Sequence, residues 1–362
     1  MSRIVINLSK IEYNAHVLKM LFDSKNIAII PVIKSIAGDE HIIKRLMKVG
    51  FNYFAESRLE NIPQQFTKDC QFLLLRSPLK RQYEDLIKES YVSIQTEMVT
   101  IRQLNHIATE MSHQHQVILM VDWKDQREGV LPCHIVEYIN EIKLMNNIKL
   151  LGLAFNFMCF KSKAPTLNDI DEINQFVHHV QYETGVSFEV ISGGNSSMLP
   201  LLKQYDLGCI NELRIGETLF RGVDTTTNEN IPELFQNAIL LEAEIIEIKP
   251  RYTKTKESYL QAIVDVGYID TVIEKIKPLN HRIEIMGASS DHLMIDLKEE
   301  INYKVGDCIL FSLEYEALSQ LMYHQRMEKY YSEELAISQR INNLNQSKPV
   351  SYTHLTLPTI YS

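Results

Sequence analysis

The sequence lacks several features that define common classes of protein. No apolar run approaches the roughly 20 residues that cross a bilayer as a helix, and the first residues lack the basic-then-apolar order of a secretory signal. Basic residues are in the minority, with 37 Lys and Arg against 46 Asp and Glu. Nucleic-acid binding needs a basic face. We therefore expect a cytoplasmic protein that binds neither membranes nor nucleic acids.

Two kinds of local signature are also absent. The five cysteines stand singly, without a Cys-x-x-Cys pair, which favours reduced thiols over disulfides or a metal site. Neither Gly-x-Gly-x-x-Gly nor a P-loop occurs, although nucleotide-binding open sheets typically carry such a glycine-rich turn. We therefore expect no metal and no doubly wound dinucleotide-binding sheet.

Short apolar runs alternate with longer amphipathic segments through the first part of the chain. The runs lie at 27–34, 53–57, 71–77, 92–97, 117–123, 150–157, 188–194 and 211–220. They are continuous rather than alternating, as in parallel strands buried on both faces, and the segments between them have helical spacing. Eight strands separated by helices predict an α/β protein with a (β/α)8 TIM barrel.

The pattern changes after about residue 230. Shorter runs with alternation and turn signals lie at 238–249, 260–267, 282–288, 292–297 and 308–311. They predict a second, C-terminal antiparallel β domain, which the N-terminal strand is expected to join. We expect the barrel at 1–232, the β domain at 233–335, a terminal segment at 336–349 and a non-native tail at 350–362.

Lys34 is the first candidate for chemistry, because functional residues of such barrels lie where the strands end. It closes the first apolar run. A partly desolvated lysine amine has a lowered pKa and can attack an aldehyde. The alternative is a solvated lysine that happens to follow a strand.

Two later loops have the composition of a phosphate site. The segment SGGNSS at 192–197 ends the seventh run and opens a helix, where free backbone N–H groups suit an anion. The segment RIGE at 214–217 ends the eighth run, and the loops after strands 7 and 8 form the recurrent phosphate site of this fold. Ordinary turns are the alternative for both loops. Arg214 begins the second of these segments. The alternative to a role for it in the site is a structural ion pair with Glu212 or Glu217.

Taken in order, these segments resemble the alanine racemase family of enzymes, which use pyridoxal 5'-phosphate (PLP), and especially its alanine/ornithine racemase-like branch. The likeness covers about residues 3–330. The segments that carry it are IVINLSKIEYNA, PVIKSIAGD, FAESRLENI, LLRSP, DQREGV, LGLAFNFMCF, SGGNSSML, ELRIGETLF, VGYID and GASSDHLMIDL. Each is weakly specific alone, and their common order makes the resemblance specific.

The resemblance implies an amino-acid racemase with PLP as its cofactor. It places the cofactor on Lys34 and a second catalytic base on Tyr268, so that the two bases serve opposite faces of Cα. It also implies a homodimer in which Tyr268 comes from the partner subunit. The remaining implied contacts are Arg127, Asn156, Asn195, Ser196, Arg214, Gly216 and Glu217 with the cofactor, and Ser290 and Asp291 with the substrate.

Departures from the family affect the expected substrate. Ala154 and Phe155 replace a Gly–Thr pair, Asn156 stands in place of a histidine, and Met120 lies where many members have a modified lysine. They argue against strict alanine specificity, and the branch points to ornithine or another basic amino acid. Two alternatives are a PLP-dependent decarboxylase of the same fold type, whose C-terminal cysteine motif is absent here, and a non-catalytic PLP-binding homeostasis protein, usually a barrel alone.

Overall fold

The computed structural model of the chain describes residues 2–252 and 258–333. Its elements form a parallel barrel and a separate antiparallel sheet. The terminal segment at 336–349 and the tail at 350–362, both predicted from the sequence, lie outside the described residues.

Eight parallel strands form the barrel. In chain order they are β2 (Ala28–Pro31), β3 (Tyr53–Glu56), β4 (Gln71–Leu74), β5 (Val92–Gln95), β6 (His115–Met120), β7 (Ile148–Ala154), β8 (Val190–Ser192) and β9 (Glu212–Ile215). β2 pairs with β9, and the pairing then runs back in chain order to β3. A parallel bridge between Val32 and Ala55 closes the ring. The prediction of a (β/α)8 barrel is confirmed.

Helices cover the outside of the barrel. In chain order they are α1 (Leu8–Ser24), α2 (Glu40–Lys48), α3 (Tyr83–Glu89), α4 (Met98–Glu110), α5 (Ile135–Ile142), α6 (Leu167–Thr184), α7 (Leu199–Gln204) and α8 (Glu217–Arg221). α6 shows why these helices begin and end where they do: Thr166 and Asp169 form a capping box, and Gly185 ends the helix in the left-handed conformation. Within 2–252 and 258–333, no helix is long and apolar enough to span a membrane.

Aliphatic side chains fill the inside of the barrel. The buried interior cluster consists of Ile30, Val32, Ala55, Leu73, Val92, Ile94, Ile118, Met120, Leu151 and Ala154. Full burial of one such large aliphatic side chain contributes about 1.5–3 kcal/mol. The barrel interior is therefore a packed core rather than a pore, and the strand ends are where this fold holds a ligand.

The second sheet also has eight strands. They are β1 (Arg3–Asn7), β10 (Ile239–Tyr252), β11 (Ser258–Val264), β12 (Ile276–Pro278), β13 (Glu284–Ala288), β14 (Leu293–Asp296), β15 (Cys308–Leu313) and β16 (Glu328–Ser332). All pairings are antiparallel except that of β1 with β16. β1 pairs with β10, so the N-terminal strand lies in this sheet. The predicted antiparallel β domain is confirmed.

The second domain also contains a helix that the strand pattern above does not predict. α9 (Tyr315–Tyr323) follows β15 and buries Ala317, Leu318 and Leu321. Their spacing is helical and is the sequence signal for this element. α9 packs against the 3-10 turn Lys34–Ile36. The second domain therefore covers the turn that carries Lys34.

A buried histidine in the barrel is expected to make stability sensitive to acid. Nε2 of His115 lies 2.7 Å from Oγ of Ser93, and burial lowers the His115 pKa from 6.5 to about 4. Above pH 6.5 the ring is neutral in both states. As the pH falls toward 4 only the unfolded chain takes up the proton, so the free energy of unfolding decreases by roughly 3 kcal/mol.

Urea unfolding of the wild type and of His115→Gln between pH 7.5 and pH 4 would measure this contribution, roughly 3 kcal/mol by the same linkage. The difference between the two curves isolates His115 from the carboxylates, and it should grow below pH 6.5. His281→Gln, at an exposed position, is the matched control. Parallel curves for the wild type and His115→Gln would contradict the prediction.

Candidate active site

The C-terminal ends of the barrel strands open into a cavity of about 1010 Å³. Typical ligand pockets occupy about 300–1,000 Å³, so this one has room for a cofactor together with a small substrate. Eight of the residues predicted from the sequence line it, namely Lys34, Arg127, Asn156, Asn195, Ser196, Arg214, Gly216 and Glu217. The fold therefore brings together residues that lie up to 183 positions apart in the chain.

The turn after β2 presents Lys34 to the cavity. The backbone passes through left-handed conformations at Ala37 and Gly38, with φ of 51° and 65°. A Cβ atom at Gly38 would lie 2.2 Å from the carbonyl oxygen of Asn61. Only glycine fits this position, because it combines a positive φ with a close backbone approach.

The Lys34 amine is half-buried and free to react. Among the residues that the structure describes, none forms a hydrogen bond or an ion pair with its Nζ atom. Burial lowers the pKa of the Lys34 amine, and the positive charge of Arg127 adds to this effect. A larger fraction is therefore the neutral, nucleophilic amine than in an exposed lysine.

Glu56 is a buried carboxylate at the end of the neighbouring strand β3, one of the strand ends at which functional residues are expected. Its Oε1 accepts hydrogen bonds from the N–H groups of Ser57 at 2.7 Å and Arg58 at 3.2 Å. Its Oε2 is buried without a partner in the described part of the chain. Burial raises the pKa of Glu56. When ionised, this carboxylate opposes the lowering of the Lys34 pKa.

Arg214 is held rigidly in the cavity wall. Its guanidinium donates to the carbonyl oxygen of Phe155 at 2.6 Å and to the hydroxyl of Ser192. That hydroxyl in turn donates to the carboxylate of Glu212 at 2.6 Å. Burial lowers the pKa of the Arg214 guanidinium. Arg214 therefore reaches Glu212 through Ser192 rather than by the direct ion pair that was the alternative.

The loop after β8 is ordered by Asn195. Its side chain accepts a hydrogen bond from the N–H group of Ser197 at 2.9 Å and donates to the carbonyl oxygen of Phe157 at 2.7 Å. Asn195 also donates to the side-chain oxygen of Asn156 at 3.1 Å. One amide thus links the loops that follow β7 and β8.

The loop after β9 meets the loop after β8 at Ser196. The hydroxyl oxygen of Ser196 accepts a hydrogen bond from the N–H group of Thr218 at 3.4 Å, which leaves its own proton available to a ligand. Gly216 caps the start of α8 and Glu217 is its first residue, and the first N–H groups of a helix have no acceptor within it. The Glu217 carboxylate pairs with Arg221. Glu217 therefore offers the cavity its backbone rather than a free charge.

Asp125 joins the loops that follow β6 and β7, and it was not predicted from the sequence. Its Oδ1 accepts hydrogen bonds from the N–H group of Phe160 at 3.0 Å and the hydroxyl of Ser162 at 2.7 Å. The first loop carries Arg127. The second carries Cys159, which also lines the cavity and was not predicted to do so. Asp125 therefore holds one wall of the site in place.

Residues of the second domain complete the cavity, and the sequence patterns missed them as well. They are Lys275, Glu314, Tyr315 and Glu316. Lys275 donates to Glu314 at 3.0 Å. Burial raises the pKa of Tyr315 to about 12, so its hydroxyl is neutral at pH 7. No local pattern marks these residues, because they reach the barrel only through the packing of α9.

Three predicted site residues lie outside the cavity of their own chain. Tyr268 follows β11 and is 49% exposed. Ser290 and Asp291 lie on the exposed turn between β13 and β14, and the carbonyl oxygen of Ser290 accepts a hydrogen bond from the N–H group of Ile269 at 3.1 Å. The three residues therefore share one outer surface of the second domain.

The chain is thus a protein of the (β/α)8 class, with a lysine amine among the residues that line the cavity at its strand ends. The chain belongs to the alanine racemase family, because the family model described as "Alanine racemase, N-terminal domain" matches residues 6–223. This finding confirms the family that the sequence motifs resemble.

Two curated relatives match this chain over almost their whole length. Ornithine racemase of Acetoanaerobium sticklandii is 30% identical, over 90% of this chain and 98% of its own. Lysine racemase of Thermotoga maritima is 29% identical, over 91% of this chain and 98% of its own. The prediction that the chain is an amino-acid racemase is confirmed.

Solved structures share the architecture. Alanine racemase of Clostridium difficile in complex with cycloserine has a TM-score of 0.74 at 22% identity, covering 92% of this chain and 97% of its own. Alanine racemase of Bartonella henselae with covalently bound pyridoxal phosphate has a TM-score of 0.72 at 15% identity, covering 91% and 99%. At these identities the likeness shows the fold.

Proposed function

We propose that this chain racemises a free basic amino acid of the ornithine or lysine type and holds PLP on Lys34. The observation that carries the proposal is the unpaired, half-buried Lys34 amine, which shares one cavity with the donor groups of two loops. The two relatives matched over nearly their full length are named for ornithine and lysine. This supports a basic amino acid as substrate.

The donor set of the cavity fits PLP. A lysine amine suits the aldehyde of the cofactor, and hydroxyl and backbone N–H donors suit its phosphate. Arg214 can only donate hydrogen bonds, so beside the ring nitrogen it would leave that nitrogen without a proton. We assign the phosphate of PLP to Asn195, Ser196, Gly216 and Glu217. We assign its ring nitrogen to Arg214 and the remaining edge of its ring to Arg127 and Asn156.

Racemisation needs a proton to leave one face of Cα and another to arrive on the opposite face. Bound PLP supplies the electron withdrawal that makes the Cα proton removable. Nζ of Lys34 removes or returns the proton on one face. The hydroxyl of Tyr268 from a second copy of the chain serves the other face, with Ser290 and Asp291 beside it near the substrate.

The homodimer is supported by the position of Tyr268 outside its own cavity. Ile269, next to Tyr268 in the chain, is 63% exposed, and Met286 on β13 is 49% exposed. Exposed apolar side chains of this size mark association surfaces when they cluster. The five thiols are all unpaired, which supports a cytoplasmic location, where thiols stay reduced.

A substrate screen tests the proposal. Purified protein with PLP is incubated with single L-amino acids, and the products are separated by chiral chromatography. D-ornithine or D-lysine should form at least about tenfold faster than D-alanine, since a hydrogen bond to a distal ammonium is worth about 1.5–3 kcal/mol.

Each of the other outcomes would identify the part of the proposed function that is wrong. D-alanine as the fastest product would reject the substrate class and keep the racemase. Release of CO2 in place of a D-isomer would indicate the decarboxylase alternative. Bound PLP without any product would indicate a non-catalytic PLP-binding protein.

A further inference from the structure

The loop that carries Tyr268 holds its phenol in a defined place. The N–H group of Tyr268 donates to the carbonyl oxygen of Ser289 at 3.0 Å, and that of Gly267 donates to Asp270 at 2.9 Å. The Tyr268 hydroxyl donates to Oε1 of Glu274 at 3.0 Å. Glu274 is thus the partner that the fold provides for this hydroxyl.

The Glu274 carboxylate has no competing cation among the residues for which coordinates are described. Its neighbour Lys275 is 3.0 Å from Glu314 and 3.8 Å from Glu316 instead. Asp270 and His324 are a second pair of ionisable residues near the loop. Their side chains are 3.5 Å apart and face each other. Glu274 is therefore free to accept a proton from Tyr268.

The carboxylates that line the cavity already face cations: Glu128 pairs with Arg127, Glu217 with Arg221, and Glu314 and Glu316 with Lys275. None of the cavity's described lining residues is a histidine. Asn156 projects an amide into the cavity, and an amide cannot take up a proton at neutral pH. Among the described residues, Glu274 therefore combines a direct hydrogen bond from Tyr268 with the absence of a paired cation.

We propose that the second base of this racemase is a Tyr268–Glu274 pair, in which Glu274 takes and returns the phenol proton. The inference rests on the proposed function and extends it by one residue. When Tyr268 abstracts from Cα, the Cα–H bond breaks and an O–H bond forms at Oη. The original phenol proton moves to Oε1 of Glu274. In the opposite direction both protons move back.

The protonation state of the Tyr268 hydroxyl explains why the pair needs a proton acceptor. The hydrogen bond to Glu274, followed by its negative charge, raises the pKa of Tyr268 above its ordinary value. Tyr268 therefore rests as a neutral phenol, which is a poor base unless its own proton leaves as the new one arrives. Glu274 permits this transfer without a free phenolate. It is a positioning residue that acts through Tyr268.

Glu274→Gln tests the pair, because glutamine keeps a hydrogen-bond acceptor but takes up no proton. We expect kcat to fall about 10²-fold, the lower end for one acid–base group, with KM within about twofold since Glu274 makes no substrate contact. Glu274→Asp should recover part of the loss. Glu299→Gln, at an exposed carboxylate of the same domain, should match the wild type.

A spectroscopic titration gives a readout independent of turnover. In protein labelled with 13C at the tyrosine ring, the Tyr268 signal is assigned by its loss in Tyr268→Phe. Its pKa should fall toward about 10 in Glu274→Gln. An unchanged titration together with an unchanged kcat would overturn the pair. If Tyr268→Phe also racemises at the wild-type rate, the two-base function itself is wrong.

Discussion

Lys34→Ala should abolish racemisation and the covalent attachment of PLP. The variant removes the amine that joins the aldehyde and also one of the two groups that move the Cα proton. Loss of a single acid–base group costs up to about 10⁴-fold, so the loss here should be at least of that order. The side chain is half-buried, and no described residue depends on its amine for a hydrogen bond. The fold should therefore survive the substitution.

The measurement is the mass of the protein after incubation with PLP and reduction with borohydride. The wild type should carry one cofactor on the peptide that contains Lys34, and Lys34→Ala none. Lys34→Arg is the matched control for charge, since a guanidinium keeps the positive charge but does not form the covalent bond. Labelling of Lys34→Arg, or of another lysine in the wild type, would refute this assignment of the cofactor.

Tyr268→Phe should stop racemisation but not proton exchange. The two enantiomers have equal free energy, so kcat/KM must fall equally in both directions, by about 10²–10⁴-fold. Lys34 still reaches its own face of Cα. One enantiomer should therefore exchange its Cα proton with D2O at a rate near that of the wild type while keeping its configuration.

NMR of the Cα proton, alongside chiral chromatography, measures exchange and inversion separately. Tyr182→Phe, at a tyrosine that is 85% exposed on α6, is the matched control and should behave as the wild type. Equal loss of exchange for both enantiomers would argue that Tyr268 supports the fold or the cofactor rather than one face of Cα.

A mixture of the two inactive variants shows whether Tyr268 acts across a dimer. In a mixed dimer of Lys34→Ala and Tyr268→Phe, one site has both defects and the other has none. Subunit exchange at equal concentrations should therefore restore about one quarter of the wild-type activity. No recovery after confirmed exchange would place Tyr268 and Lys34 of one chain in the same site, contrary to the proposed dimer.

Local patterns predicted the architecture of the barrel well. Parallel strands buried on both faces are typically continuous apolar runs in the sequence, and each of the eight runs overlaps a strand in the structure. The apolar run at 211–220 is longer than a single strand, because it divides at Gly216 into β9 and α8. The apolar character continues through both elements, so composition alone could not show where strand becomes helix.

The candidate site was predictable to the extent that it lies at strand ends. All strands of a parallel barrel point the same way, so residues that close successive runs meet at one mouth. This is why Lys34, Asn195 and Arg214 were found from sequence and line one cavity. Glu56 also ends β3, but its buried carboxylate accepts hydrogen bonds from the backbone N–H groups of the next two residues. These contacts depend on the turn after the strand.

By itself, the sequence determined the barrel, its lysine and the loops after its last two strands, because these follow from short-range periodicity and from strand direction. Only the tertiary structure decided that α9 places Tyr315 and Glu314 in the cavity, and that the hydroxyl of Tyr268 points to Glu274 on an outer surface. Contacts between domains depend on the complementary shapes of surfaces that are far apart in the chain. No local pattern encodes such contacts.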